Sequence, residues 1–287
     1  KERIGERTAY ITFMAPYAQI DSIWINGVPK EKLITQFNLV QDSLEIWIND
    51  PKTQPDTLFL NVKYMKTDTL GMLNSFTEEV KLAKPKTGIF GKSAKKDIKK
   101  EDTTCVFTLE AKPETVEQYG FVMEFKYPVV QSAFDSLIFR SINPRQQESK
   151  AKYTVTQDSL NLRKYTIMPV DKLQSGWEYF LKIPHRKFTD INGFYNDSTE
   201  VKVSLPSDEK LSSINLVLKG VNNKYIVDLL DEKRTNILRS YIIDKDQTLT
   251  FPYMKAGKYA IRITEDKNRN GQVDTGNLLE HKQPEKV

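Results

Sequence analysis

Apolar and polar residues alternate along much of the chain with a period of two, and long stretches of period 3.6 are missing. The alternation predicts short strands at Tyr10–Phe13, Ser22–Asn26, Leu44–Ile48, Leu58–Tyr64, Val106–Glu110, Phe121–Lys126, Leu137–Arg140, Tyr179–Ile183 and Glu200–Ser204. Each run is rich in β-branched and aromatic residues and is bounded by Asp, Asn, Gly or Pro. Many short strands at regular spacing predict an all-β chain built of sandwiches.

Two interruptions divide the pattern. Lys81 to Asp102 is lysine-rich and poor in large apolar residues, so it cannot bury enough surface to offset its ordering entropy. Residues 84–102 therefore read as a linker or a long insertion. A weaker boundary falls at Leu205–Lys210.

On either side of the first interruption the same landmarks recur in the same order. Asp21-Ser22-Ile23 is answered by Asp135-Ser136-Leu137, and Gln41-Asp42-Ser43-Leu44 by Gln157-Asp158-Ser159-Leu160. Thr67-Asp68-Thr69-Leu70-Gly71 is answered by Thr189-Asp190-Ile191-Asn192-Gly193, and Glu79-Val80-Lys81 by Glu200-Val201-Lys202. The expected organisation is two copies of one sandwich, at 1–83 and 103–206, followed by a smaller β-domain at 210–287.

Composition narrows the chemistry. A net charge of +5 on 287 residues is too mild to imply nucleic acid, and the lysine run holds a lone aromatic, Phe90. No stretch of 18 apolar residues predicts a membrane-spanning helix. The start at Lys1-Glu2-Arg3 reads as a piece of a longer protein. One cysteine, Cys105, excludes an internal disulfide and a multi-cysteine zinc site; two histidines, His185 and His281, argue against histidine-rich metal chemistry. Gly91-Lys92-Ser93 lacks the earlier glycine of a phosphate-binding loop, since position 86 is lysine. No Gly-x-Ser-x-Gly elbow is present, and the chain is read as non-enzymatic.

One stretch has the oxygen spacing of a hard-cation loop. Asp266, Asn268, Asn270 and Asp274 occupy positions one, three, five and nine, with Gly271 at six and the Gln272 carbonyl at seven. Position twelve is Asn277 and not the Glu of a helix–loop–helix calcium site. The alternative is an Asn/Asp-rich turn held by its own side chains. If calcium binds, two carboxylates in the loop predict weak affinity. Trp24, Trp47 and Trp177 pose a similar choice between core packing and a sugar-stacking platform.

The whole chain resembles the C-terminal portion of the Ig-like-domain outer-membrane lipoproteins of Bacteroidota. The resemblance rests on Phe251–Tyr259, on Asp266–Asn277, where Arg269 stands in place of a family glycine, and on Gln283-Pro284-Glu285. Lys187–Gly193 is similar to the turn that closes bacterial Ig-like domains. The resemblance implies tandem Ig-like β-sandwiches followed by a small prealbumin-like β-sandwich. It implies an extracytoplasmic protein anchored to the outer membrane through an N-terminal lipid that this chain does not contain. Envelope or outer-membrane proteins would be its partners, with glycans as the alternative ligand. In that phylum Asp-Ser/Thr-aliphatic tripeptides are O-glycosylation signals, which makes Ser22, Ser43, Thr57, Thr69, Ser136 and Ser159 candidate acceptors.

Overall fold

The alternation translates directly into sheets whose inward residues form three separate hydrophobic clusters. The computed structural model describes residues 2–3, 7–14, 16–83, 103–207, 212–274 and 283–287, so the lysine-rich segment 84–102 and His281 lie outside the described residues.

The first module contains β1 (Glu2–Arg3), β2 (Thr8–Thr12), β3 (Ile20–Ile25), β4 (Leu33–Phe37), β5 (Ser43–Ile48), β6 (Thr57–Thr67) and β7 (Leu73–Ala83). One sheet has the order β1-β2-β5-β4 and the other β3-β6-β7. Alternate residues Leu44, Ile46 and Ile48 of β5 meet Leu58, Leu60 and Val62 of β6 and Val80 and Leu82 of β7. Their period of two puts every second side chain on the inner face of its sheet.

The second module contains β8 (Phe107–Glu110), a one-turn helix α1 (Val116–Tyr119), β9 (Phe121–Phe125), β10 (Val129–Ser132), β11 (Ile138–Ile142) and β12 (Glu148–Lys150). It continues with β13 (Tyr153–Gln157), β14 (Lys164–Pro169), β15 (Glu178–Ile183), β16 (Phe188–Asp190) and β17 (Thr199–Ser204). Its sheets are β8-β9-β14-β13 and β12-β11-β15-β17, with a small β10-β16 pair beside them. The order β8-β9-β14-β13 reproduces β1-β2-β5-β4, and β11-β15-β17 reproduces β3-β6-β7. The core here is aromatic: Phe125 meets Phe188 edge-on at 5.1 Å, and Phe121 meets Phe139 at 5.4 Å.

The recurring sequence landmarks occupy matching topological positions. Asp42 closes the turn from β4 to β5, with Ser43 opening β5, and Asp158-Ser159 lies in the turn from β13 to β14. Asp68 and Asp190 build the same turn. Asp68 Oδ1 accepts from the Leu70 and Met72 amides at 2.8 and 2.9 Å, and Asp190 Oδ1 from those of Asn192 and Phe194 at 2.8 and 3.1 Å. In each, a glycine with positive φ, Gly71 or Gly193, closes the bend.

The third module comprises β18 (Ser212–Leu218), β19 (Tyr225–Leu230), β20 (Ile237–Ile243), β21 (Gln247–Met254) and β22 (Ala260–Glu265). A β18-β21 ribbon packs on the sheet β20-β19-β22 around Val227, Leu229, Leu249, Phe251 and Met254. Pro252 is tolerated in β21 because that strand pairs on one side only, with β18. No helix among the described residues is long and apolar enough to cross a membrane.

Candidate functional site

The 266–274 loop leaves the end of β22 and is wound around its own polar groups. Asp266 is 2% exposed; its Oδ2 accepts from the Gly271 amide at 2.9 Å, while its Oδ1 has no hydrogen-bond partner among the described residues. Asn270 Nδ2 donates to Asp274 Oδ2 at 3.1 Å, and Asn268 Nδ2 donates to the same oxygen. The Asn270 amide donates to Asn268 Oδ1 at 3.1 Å and the Gln272 amide to Asn270 Oδ1 at 2.8 Å. Arg269 holds φ at 60°, the left-handed conformation a glycine would reach without strain.

Two residues that the spacing did not single out complete the loop. Lys224 places Nζ 3.3 Å from Asp266 Oδ2 and donates to the Arg269 carbonyl at 2.8 Å. Glu285 returns from the C-terminal segment, and its carboxylate accepts from the Lys267 and Asp274 amides at 2.9 and 3.1 Å. Glu285 belongs to the Gln283-Pro284-Glu285 run, a signal that marked the residue without giving its role. Lys224 had no sequence signal, because its partner is far along the chain.

The donor set is all oxygen, as a hard cation needs. A buried carboxylate oxygen without a partner costs free energy that a cation would recover. Against this, the Lys224 ammonium already supplies positive charge to the loop. The described residues contain no cluster of three His, Cys, Asp or Glu side chains placed to hold a metal. Loading a cation therefore requires Lys224 to withdraw and the two Asn amides to turn their oxygens inward.

The candidate acceptor hydroxyls are scattered. Thr69 and Ser159 are exposed at turns, whereas Ser22, Ser43, Thr57 and Ser136 are half-buried. Ser136 also donates to the Ala133 carbonyl at 2.7 Å. His185 is a surface residue with Nδ1 3.7 Å from Asp197 Oδ1. Cys105 is buried just ahead of β8, and burial, with the nearby Asp190 adding to it, pushes its thiol pKa up to about 12. That is the opposite of the shift a nucleophilic thiolate needs.

The modules meet through specific side chains. At the first joint Gln36 of β4 lays its amide on the β13–β14 turn. Its Oε1 accepts from the Leu162 amide at 3.0 Å and its Nε2 donates to the Leu160 carbonyl at 3.3 Å. Arg163 adds an ion pair to Glu45 at 3.3 Å and lies over the Trp47 ring at 5.4 Å. Trp47 is 1% exposed, yet it points away from the inward residues Leu44, Ile46 and Ile48 of its own strand. The choice posed by Trp47 thus resolves into burial at a joint. Arg7 donates to the Ile191 carbonyl at 2.7 Å on the same side.

The second joint repeats the device. Gln118 of α1 accepts from the Ser240 amide at 3.0 Å and donates to the Ser240 carbonyl, pairing with edge strand β20 as a neighbouring strand would. Lys255 meets Glu114 at 2.5 Å, and Arg239 is buried beside Glu117 and Tyr119. Burial raises the Glu117 and Tyr119 pKa values.

The first module also carries a long open edge. Strand β7 runs eleven residues and, among the described residues, pairs only with β6. Its hairpin end presents Leu70 (85% exposed) and Met72 (63%), with Leu73 and Phe76 following.

Fold and joints together define an all-β chain of two sandwiches that share one strand order, followed by a smaller third β-module. No protein-family model matches the chain. No curated protein matches it either. Among solved structures, domains A168–A170 of titin are similar over 93% of this chain and 90% of theirs, at 13% identity and a TM-score of 0.20. A likeness that loose carries no argument about function.

Proposed function

We propose that the chain is a non-enzymatic protein-interaction part of an outer-membrane-anchored envelope lipoprotein, an accessory subunit that docks envelope proteins. The observation that carries the interaction reading is the open β7 edge. A long strand whose outer edge pairs with no other strand among the described residues, with apolar side chains at its hairpin, is the geometry to which partner strands add. Ig-like folds host many functions, so the argument rests on this edge and not on the fold. The envelope location rests on the resemblance carried by Phe251–Tyr259, Asp266–Asn277 and Gln283–Glu285.

The test is recovery of the tagged full-length protein from its native envelope in mild detergent, beside a Leu70→Glu/Met72→Glu/Phe76→Glu variant. A stoichiometric set of membrane proteins, held by the parent and lost by the variant, supports the reading. Identical partners on both, or polysaccharide in place of protein, overturns it.

For the 266–274 loop the proposal is weak calcium binding in exchange for Lys224. The unpartnered Asp266 Oδ1 supports it. The exposed acceptors Thr69 and Ser159 are the hydroxyls best placed for O-glycosylation.

A further inference from the structure

A cleft of about 400 Å³ opens at one end of the second sandwich, where the chain crosses from β12 to β13 under the loop that joins β14 to β15. Its volume falls in the range of ligand clefts, roughly 300–1,000 Å³. One wall is a ladder of three rings. Trp177 stacks on Tyr179 at 6.5 Å and 20°, and Tyr179 on Phe139 at 6.2 Å and 22°. Tyr179 and Phe139 are buried in the core, so the half-buried Trp177 is the outer rung.

The ladder is fixed before any ligand arrives. The Gln174 amide donates to the Tyr179 hydroxyl at 2.7 Å, Gln174 Nε2 donates to the Lys172 carbonyl at 3.1 Å, and Leu173 is buried beneath the loop. A prearranged wall spares a ligand the entropy of ordering it.

The remaining lining is polar and of mixed sign. Lys152 and Lys172 line the mouth, while the register places Lys150 with Arg140 on the outer face of its sheet; neither Lys152 nor Lys172 forms an ion pair among the described residues, though the Lys172 ammonium acts on the Glu117 carboxylate. Asp171 stands among them, and the cross-strand pair Ser141 and Ser149 lies along a second wall. Two ammonium groups beside a single carboxylate call for an anion. A simple anion would leave Asp171 facing a like charge. A ligand with both a carboxylate and hydroxyls satisfies both, since its hydroxyls donate to Asp171 while its carboxylate meets the lysines. A ring whose C–H face is apolar also covers an indole.

We infer that this cleft binds an acidic sugar, a uronic-acid residue of an oligosaccharide, with Trp177 as the stacking platform and Lys152 and Lys172 as the carboxylate partners. The inference is independent of the β7 edge, which lies on another module.

Calorimetric titration of the chain with trigalacturonate, beside neutral maltotriose, tests it. The expected result is saturable trigalacturonate binding that weakens as salt is raised and is at least about tenfold weaker in Trp177→Ala and in Lys172→Glu. Lys172 is exposed, so the second variant tests the site even if the first perturbs the fold. No saturable binding overturns the inference. So does maltotriose binding of equal strength, or unchanged trigalacturonate affinity in Lys172→Glu. Any of these results leaves the recovery of membrane proteins through β7 unaffected.

Discussion

Asp228 on β19 is held by Arg262 on β22, with Nη2 at 2.6 Å and Nε at 3.0 Å from Oδ2. The two residues are direct cross-strand partners, and on the other side Ser240 of β20 donates to Asp228 Oδ1 at 2.7 Å. A buried carboxylate on the central strand is thus satisfied by both of its neighbours. Asp228→Ala leaves the Arg262 guanidinium without its partner and is expected to cost roughly 3 kcal/mol. Urea denaturation monitored by circular dichroism measures it; a change below about 0.5 kcal/mol would show the triad to be structurally idle.

Trp47 reports on the first joint. Removing the guanidinium above it with Arg163→Ala, in a Trp24→Phe/Trp177→Phe background, should red-shift its emission and open it to acrylamide. An unchanged, unquenchable spectrum would mean that the Arg163 side chain is not what shields the ring.

Cys105 should be silent toward a thiol reagent at pH 8.5 in the folded chain and react fully in denaturant. Its folded pKa is raised by burial from 9.0 to about 12. The sign follows from linkage: the neutral thiol is favoured in the fold, so its contribution is complete below pH 9. That contribution is then lost as pH climbs toward about 12. Rapid native labelling at pH 8.5 would contradict the burial.

For the cation loop, terbium luminescence sensitised by the protein's aromatic residues is the direct measurement. Calcium should displace terbium at roughly 0.1–1 mM. Asp266→Ala should abolish the signal, and Lys224→Met should tighten binding by removing the competing ammonium. An equal signal from parent and Asp266→Ala would mean that the loop is only a turn.

Gly120 has φ at 60°, and a Cβ there would lie 2.4 Å from the Ile167 carbonyl oxygen and 2.5 Å from Met168 Sδ. Gly120→Ala should therefore destabilise the second module by about 2 kcal/mol or more, read as a fall in its melting temperature.

The strands with clean alternation were legible in the sequence: Leu44–Ile48, Leu58–Tyr64 and Phe121–Lys126 all became strands within a few residues of the expected bounds. Strands β4, β13 and β14 escaped because Thr, Gln, Lys and Tyr occupy their outward or half-buried positions and dilute the contrast. Most of β7 is exposed on both faces, so it has no period to read until Val80 and Leu82. The cation loop was legible as a spacing, but Lys224 and Glu285 enter it from distant strands and tails. The cleft at Trp177 was legible only as one aromatic residue, since its lysines and rings come together through the crossing of β12 to β13.

Gln36 and Gln118 fasten their joints by gripping main-chain N–H and C=O groups, which every residue but proline carries in full. Substitutions at Leu160, Leu162 or Ser240 that keep the backbone path should leave the grip intact, whereas replacing either glutamine removes it. The glutamine part of each joint is thereby written on one side only, whereas the Arg163–Glu45 and Lys255–Glu114 ion pairs tie residues on both sides and must change together.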